Sequence, residues 1–584
     1  MEKTDNRAYR LLKKWMDAML EYRVENIKKP RLHGSFLCPA CGLIHGRCFD
    51  AVLPYCYLYK YEKDEKYLTA AKELMDYSSA LKMDDGIYFN DFNVPWFGIS
   101  AFYADALTET LETAGDALPE ELKKRIESEI LSIGEAVRIR FLKEGFYPAI
   151  NYFVSAISLM AKLYKMTNEQ KYLDAALHFK GIVLNRITED NWLFGEGLDG
   201  KDKKTKKGFR AVDLGYNLDE SYAFLIKAGR LLGDEELLEL GIRLSKEALW
   251  FLLPDGAMDN SWGSRSAKWT YYGSRTSDGA GCLFALLKDI PEMREAAARQ
   301  IEILEKCTDD EGLLSGGAWY NQAEEPSCTH HLFSHAKALV ALAESGINLE
   351  RETALPLDDF EGTRSYPSAG VHIASLGDTY ASFKESDLDY LNNKWYNPLG
   401  GNLSLLYSRK LSSPILAATQ NTGALIEPKN MQGLKNGEAV KCKTPRIDSE
   451  GFGSNLSSEF EAKFDAENYS FETVGRLSKT NGELGAEYKM EFEILSDGCS
   501  IKATCSENGK FILPLLLKPS ETAGIGEENS LVLIRENGVV SVSSSGEIEV
   551  DLKGRDFNPC GGFTYIIPEI TLQKNEEIVI EIRY

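Results

Sequence analysis

The 584-residue sequence has no apolar run long enough to span a bilayer as a helix, so a helical membrane protein is not expected. Its first residues, MEKTDNRAYRLLKKWMDAMLEY, scatter charges among apolar side chains and lack the continuous apolar stretch of a secretory signal. Positive charge is short: 67 Lys and Arg stand against 89 Asp and Glu, a formal net charge of -22. Nucleic acid and anionic membranes are therefore not expected partners, because the mean field of the chain repels them. No GxxxxGK(S/T) loop, no GxGxxG turn following a strand and no GxSxG elbow is present, which removes support for phosphate-loop and serine-triad chemistry. The 11 cysteines are odd in number and lack framework spacing, which fits a reducing compartment better than a disulfide scaffold. A cytoplasmic protein is the expectation, and a homo-oligomer is compatible with the sequence.

What is present reads as globular, with 43% hydrophobic and 27% charged residues, and the length calls for about two to four domains. Up to about residue 345 apolar residues recur every three or four positions. Beyond about residue 367 the period shortens to alternation, as in NLSLLYS, YKMEFEIL and SLVLIREN, which predicts antiparallel strands. The expected organisation is a helical domain over 1–350, a linker over 351–366 and a β-sandwich domain over 367–584. The fold class is thus α+β and multidomain.

Helices are predicted near 5–27, 48–62, 65–83, 97–116, 119–141, 150–166, 168–186, 216–232, 234–252, 277–288, 292–306 and 330–345. DEKYLTAAKEL, NEQKYLDAALHF and DEELLELGIRL each follow an apolar helix after a tight turn, and PEELKKRIESEI and PEMREAAARQIEIL fit the same slot. Such a hairpin cannot bury its own apolar face and must stack on its neighbours. Six hairpins closing on themselves form an (α/α)6 toroid.

Connections from inner to outer helix are only a few residues long, whereas those from outer to inner run to about twenty or thirty, a length that usually signals function. All the long loops emerge on one face. They carry HGRCFD, FNDFNVPW, YPAINY, DLGYNLDESY, WTYYGSRTSD and CTHHLF to the starts of the inner helices. Helix N-termini aimed at one pocket favour an anion, so an acidic substrate is expected. Trp96, Trp192, Trp262, Trp269 and Trp319 lie in the same loops, either as platforms for sugar rings or as pins that hold the loops down. The basic run GKDKKTKKGFR is either a lure for an acidic polymer or a solvated loop.

The densest cluster of reactive side chains is CPACGLIHGRCFD, from Cys38 to Asp50. Cys38 and Cys41 have the spacing of half a zinc site, but closing it with His45 and Cys48 is tighter than separated knuckles allow. No cofactor is required elsewhere. A zinc ion near Cys38 and Cys41, with Cys328 as a distant ligand, stands against buried free thiols. His45 and Arg47 sit where a long loop meets the first inner helix.

DLGYNLDESY, WGSRSAKWTYYGSRTSDG, CTHHLFSHAKAL and a β domain opening with YPSAGVHIASLGDTYASF together resemble the heparinase II/III-like toroid polysaccharide lyases, including the rhamnose–glucuronate lyase type. The resemblance implies β-elimination at C4 of a uronic acid. The carboxylate is neutralised, a base takes the C5 proton and an acid protonates the leaving oxygen. It also implies that Asn151 matches the carboxylate-binding Asn, Tyr216 the tyrosine acid and candidate base, and His330 or His331 the downstream histidine. This chain has Asn151-Tyr152 where many relatives have Asn-His, which leaves the base open. Arg275 and Tyr272 join the catalytic candidates. His45, Arg47, Trp96, Asn217, Trp262, Trp269 and Tyr271 are the substrate-binding ones.

The main rival is glycoside hydrolysis on the same toroid by two of Asp50, Glu196, Asp213, Glu220 and Asp278, several of which sit where helix caps belong. A non-catalytic carbohydrate-binding module is the second rival. It needs stacking residues but no convergence of Tyr, His, Arg and Asn.

Overall fold

The computed structural model describes residues 5–25, 28–90, 98–146, 148–197, 204–323, 326–387, 399–417, 443–527, 529–558 and 560–584. Trp96 lies outside them, and so does the side chain of His331.

The helical part contains α1 (Arg7–Leu20), α2 (Val52–Glu62), α3 (Glu65–Ser79), α4 (Ile99–Ala114), α5 (Glu120–Phe141), α6 (Ile150–Thr167), α7 (Gln170–Leu184), α8 (Leu214–Tyr216), α9 (Tyr222–Leu232), α10 (Glu235–Ala248), α11 (Gly281–Leu286), α12 (Pro291–Lys306), α13 (Tyr320–Ala323) and α14 (Thr329–Ser345). The inner helices α2, α4, α6, α9, α11 and α14 contact one another in that order, and α14 returns to α2, so the ring is closed. Outside them lie α3, α5, α7, α10 and α12, each packed on the inner helix before it, while α1 packs on α14. The first helix of the chain is thus the outer partner of the last inner one.

The sequence repeat has a local cause. Each of α2, α6 and α9 ends on a left-handed residue, Lys63, Asn168 and Gly233, and only at Gly233 is that conformation free of a Cβ penalty. The next residue starts the outer helix. Asp64 accepts from Lys66 N at 3.0 Å and Asp234 from Leu237 N at 3.1 Å, capping donors that otherwise lack a partner.

Four elements differ from the predicted helices, the first being α1, which ends at Leu20 where the expected helix ran on to 27. The first inner helix is entered through a 3-10 turn, Gly46–Ala51. The fourth carries a π turn, Asn217–Ser221, between α8 and α9. The fifth shrinks from the expected 277–288 to the 6 residues of α11. There, Gly279 takes a left-handed φ of 88°. A Cβ on Gly281 would stand 2.9 Å from Leu342 Cδ1, so the short helix lies unusually close to α14.

After the short α15 (Pro356–Asp359) the chain is antiparallel β. Following a small hairpin within the ring, β1 (Trp269–Thr270) and β2 (Gly273–Ser274), the β domain opens with a five-stranded meander: β3 (Gly362–Tyr366), β4 (Val371–Leu376), β5 (Thr379–Lys384), β6 (Asn402–Ser408) and β7 (Ser413–Ala417). Alternate residues of this sheet enter different cores. Ile373, Tyr380, Leu405 and Tyr407 join the core of the ring, whereas Ala374, Ala381, Phe383, Leu403 and Leu406 pack with Phe471, Met490, Phe492 and Ile501 of the large sheet behind. From β4 on the meander is a middle layer with both faces largely buried, and the period of two decides which side chain goes where. The exception is β6, where a register shift opposite Ser382 and Phe383 sends Leu403 to the same side as Leu406.

A tip of the β domain also reaches the ring. Gly561 N donates to Gly316 O at 3.1 Å, and a Cβ on Gly317 would fall 2.1 Å from the Gly561 carbonyl carbon. Trp319 packs on Phe563 with ring centroids 4.3 Å apart.

Candidate active site

The inner-helix starts converge on buried charge. Arg47, in the 3-10 turn before α2, donates to Asp50 at 2.8 and 3.0 Å, to the Thr276 carbonyl at 2.6 Å and to Glu220 at 3.4 Å, and lies 2.5 Å from Asp278. Lys337 of α14 lies 2.7 Å from Asp278 and 3.5 Å from Asp50. Asn151, at the head of α6, donates to Glu220 at 2.9 Å. Five of the six inner-helix segments thus meet in one network. Burial, then repulsion from Asp278, pushes the Glu220 carboxyl up to about 8. Burial acts on Asp278 in the same direction, but Lys337 and Arg47 outweigh it and hold this carboxyl below its usual range. Two cations, Arg47 and Lys337, thus face three buried carboxyl groups, of which Glu220 is the one that burial and Asp278 drive toward its protonated form.

Tyr216 stands beside this network. Asp213 caps its short helix, accepting from Tyr216 N at 3.0 Å and from Arg265 N at 2.8 Å, and Asn260 supports the carboxylate from 3.3 Å. The π turn begins at the next residue, an irregularity common at functional sites. The phenol oxygen is 2.6 Å from Thr276 Oγ1. Lys268 Nζ donates to the Thr276 hydroxyl at 3.4 Å, and the Arg265 guanidinium covers the phenol ring at 4.4 Å. Arg265 also pairs with the fully buried Glu196 at 2.7 Å.

His45 caps the 3-10 turn, with Nδ1 accepting from Arg47 N at 3.3 Å, while Nε2 is 3.2 Å from the Asn90 amide. Its ring centroid is 4.4 Å from that of His330. His330 in turn stands with Cys38, Cys41 and Cys328, the four candidate ligand atoms lying within 4.8 Å of one another. His45 and Cys48, the local partners considered for Cys38 and Cys41, are not in this cluster.

Arg275 is 1% exposed, and its Nε and Nη1 have no hydrogen-bond partner among the described residues. Tyr272 is buried against His335, at 5.2 Å between ring centroids.

The aromatic candidates do not form an open platform. Trp269 is buried and donates to the Met258 carbonyl at 2.9 Å, and Trp262 is buried between Trp192 and Phe251. Tyr271 donates to Asp255 at 2.5 Å and packs on Trp319 and Phe563. Asn217 donates to the Leu193 carbonyl at 2.9 Å. These side chains hold loops and domains together, because a large ring gains more from full burial than from waiting on a sugar. In the basic run, Lys206 pairs with Glu459 at 2.9 Å and Lys207 covers Phe460 at 4.5 Å, so this part faces the β domain.

The carboxylates proposed for hydrolysis are occupied: Asp213 as a cap, Asp50 and Asp278 by Arg47 and Lys337, Glu196 by Arg265, and Glu220 by Asn151 and Arg47. Sequence reading missed Lys337, Arg265, Lys268 and Thr276. A signal existed for Lys337, which lies two helical turns after His330 in the apolar stretch LFSHAKALVAL, where a lysine needs a buried partner.

A closed double ring of helices, a layered β domain and a capped tyrosine among cations are the parts of a toroid polysaccharide lyase. The fold is that of the chondroitin AC lyase of Streptomyces coelicolor A3 solved with chondroitin sulphate, at a TM-score of 0.53 and 12% identity over 99% of this chain and 79% of that one. A Paenibacillus xanthan lyase aligns over 100% of this chain and 57% of its own, at a TM-score of 0.52 and 9% identity.

Family models narrow this further: the ulvan lyase N-terminal domain matches residues 12–358 and the ulvan lyase C-terminal domain residues 363–584. The chain is 30% identical over 583 residues to a broad-specificity ulvan lyase of Formosa agariphila, spanning 96% of this chain and 90% of that one. It belongs to the ulvan lyase family, and its activity is that of a polysaccharide lyase cleaving at a uronic acid by β-elimination.

Proposed function

We propose that the substrate is ulvan or its oligosaccharides, with Tyr216 as the residue that moves the proton. The relative from Formosa agariphila supports the substrate, and ulvan contains uronic acids. The observation that carries the residue assignment is the Tyr216 hydroxyl, held 2.6 Å from Thr276 Oγ1 beside Lys268 and Arg265. As the phenol gives up its proton, these two cations, 5.8 and 4.4 Å from the ring centroid, favour the negative charge that develops on the ring and its oxygen.

Arg275 is assigned to the uronate carboxylate, since two of its N–H-bearing atoms lack a partner and a carboxylate accepts from a guanidinium in pairs. Asn151, whose Nδ2 has one bond to Glu220 and a second hydrogen to offer, assists. Neutralising the carboxylate acidifies the C5 proton. Base removes it, the C4–O4 bond breaks, the C4–C5 double bond forms, and O4 leaves with a proton. Where the C5 proton and O4 share a face of the ring, one phenol serves both steps. His45, next to Arg47, is the second proton carrier in this scheme.

We place this chemistry in a reducing compartment, on short imported chains, on the strength of the odd cysteine count. Early mid-chain cuts in a long polymer would overturn the short-chain part, and fractionation of the native host checks the compartment. The central test is incubation with ulvan oligosaccharides while ultraviolet absorbance of the unsaturated product is followed. Cleavage without that chromophore would sink the assignment.

A further inference from the structure

Cys38, Cys41, Cys328 and His330 do not belong to the charged network, and nothing in the elimination requires three thiols. Cys38 and Cys41 lie on a tight knuckle. Gly42 N donates to the Cys38 carbonyl at 2.9 Å, Cys38 N to the Leu43 carbonyl at 2.9 Å, and Leu37 bridges Ile44 across the base. Gly42 takes a left-handed φ of 66°, which lets the chain turn back directly after the second cysteine. The other two residues come from the far end of the ring. Cys328 is the residue before α14 and His330 lies in its first turn. Cys38, Cys328 and His330 are buried and Cys41 is partly so. The Cys38 and Cys328 sulfurs are 3.5 Å apart although 290 positions separate them in sequence.

We propose that these four residues bind one structural zinc ion. Tetrahedral zinc with sulfur at about 2.3 Å and nitrogen at about 2.0 Å spaces its ligand atoms by roughly 3.5 to 3.8 Å. The 3.5 Å sulfur pair has to open by only a few tenths of an ångström, and ligand atoms separated by up to 4.8 Å have to close by about 1 Å, to reach that geometry. Three thiols and an imidazole in a dry site offer one another only weak hydrogen bonds, such as the one between the Cys38 and Cys328 sulfurs. A dication converts the same set into a favourable one. Four protein ligands fill the coordination sphere, so the ion is structural and holds no open position for substrate.

Its place in the fold gives the ion a role. It joins the loop before the first inner helix to the start of the last one, where the ring closes. A clip across so long a segment removes much of the freedom of the unfolded chain. It also takes the lone pair of His330 out of proton transfer and fixes the ring that lies 4.4 Å from His45. The zinc assignment does not depend on the lyase chemistry proposed above.

The test is metal analysis of full-length protein purified without chelator or nickel resin. The expected content is about one zinc per chain. A thiol-specific mercurial with a chromogenic indicator should release that zinc in step with thiol modification, and cobalt replacement should give thiolate-to-cobalt charge-transfer absorption. Cys41→Ser should weaken zinc binding roughly tenfold or more, while Cys56→Ser, at a buried thiol elsewhere, should retain full content. Wild-type protein that carries no zinc and takes none up on incubation with zinc salt overturns the proposal. So does a Cys38–Cys328 disulfide found by non-reducing mass spectrometry. If Cys41→Ser does not fold, wild-type stoichiometry and release decide the matter alone. Loss of lyase activity is not among the readouts, so failure here and failure of the ulvan assignment are separable.

Discussion

Thr276 serves two residues at once: its carbonyl accepts from Arg47 at 2.6 Å and its hydroxyl lies 2.6 Å from the Tyr216 phenol. The buried network at the ring centre and the tyrosine assigned to proton transfer are therefore tied through one residue. A disturbance of the first reaches the second.

Tyr216→Phe removes only the hydroxyl and leaves the ring under Arg265. We expect kcat to fall by about 10²- to 10⁴-fold with little change in KM or melting temperature. Steady-state assays on unsaturated product, with circular dichroism as a folding control, check this. An unchanged kcat would move the proton transfer to another residue.

Arg47→Met leaves Asp50 and Asp278 sharing Lys337 in a dry site. The expected loss is about 3–5 kcal/mol, read from urea denaturation. Arg47→Lys should recover only part of it, because an ammonium group cannot span Asp50, Asp278, Glu220 and the Thr276 carbonyl together.

Stability should decline as pH rises through neutrality. Burial pushes the Asp219 carboxyl up to about 7 from its ordinary 3.8, despite hydrogen bonds from Ser277 and Ser274 N. The folded chain thus holds this proton more tightly than the unfolded one. Its contribution is complete below the unfolded value, shrinks as pH rises and is lost above about 7. Melting scans from about pH 5 to about pH 8 should slope downward, and Asp219→Asn should flatten part of the slope. Glu220 titrates in the same range, so only the difference between wild type and variant reports Asp219. Parallel slopes for the two would refute this reading.

Gly317→Ala should loosen the contact between ring and β domain. The added methyl meets the Gly561 backbone, not the end of a flexible side chain, so neither partner can step aside cheaply. A cost of about 1–3 kcal/mol and faster limited proteolysis near Gly561 are expected. Proteolysis at the wild-type rate would show that the tip adjusts.

Five hairpins were legible because their cause is local: an apolar stripe at helical spacing, with a left-handed stop after α2, α6 and α9 and an aspartate cap at Asp64 and Asp234. The sixth pair joins α14 to α1 from the other end of the helical part. Tyr216 and Asn151 stood out through the resemblance of the long-loop motifs to the toroid lyases, which matches them to a tyrosine acid and a carboxylate-binding Asn. Other features depend on pairings no local pattern records. The shortness of α11 follows from its approach to α14, and the burial of Trp262, Trp269 and Tyr271 follows from the docking of loops and the β domain. For CPACG the sequence showed two candidate ligands, with His45 and Cys48 as the local partners weighed and Cys328 as a distant one, but it did not offer His330. The cluster in the structure is completed by Cys328 and His330, which approach only when the ring closes.

Strands β5–β7 of the meander are buried along their whole length, so neither half of the chain owns their surface. A fragment ending near residue 358 would present the wall that normally meets Ile373, Tyr380, Leu405 and Tyr407, and the matching β fragment would present those four side chains. Each piece would be sticky by itself and complementary to the other. Separately produced halves are better regarded as two parts of one core than as two domains on a string.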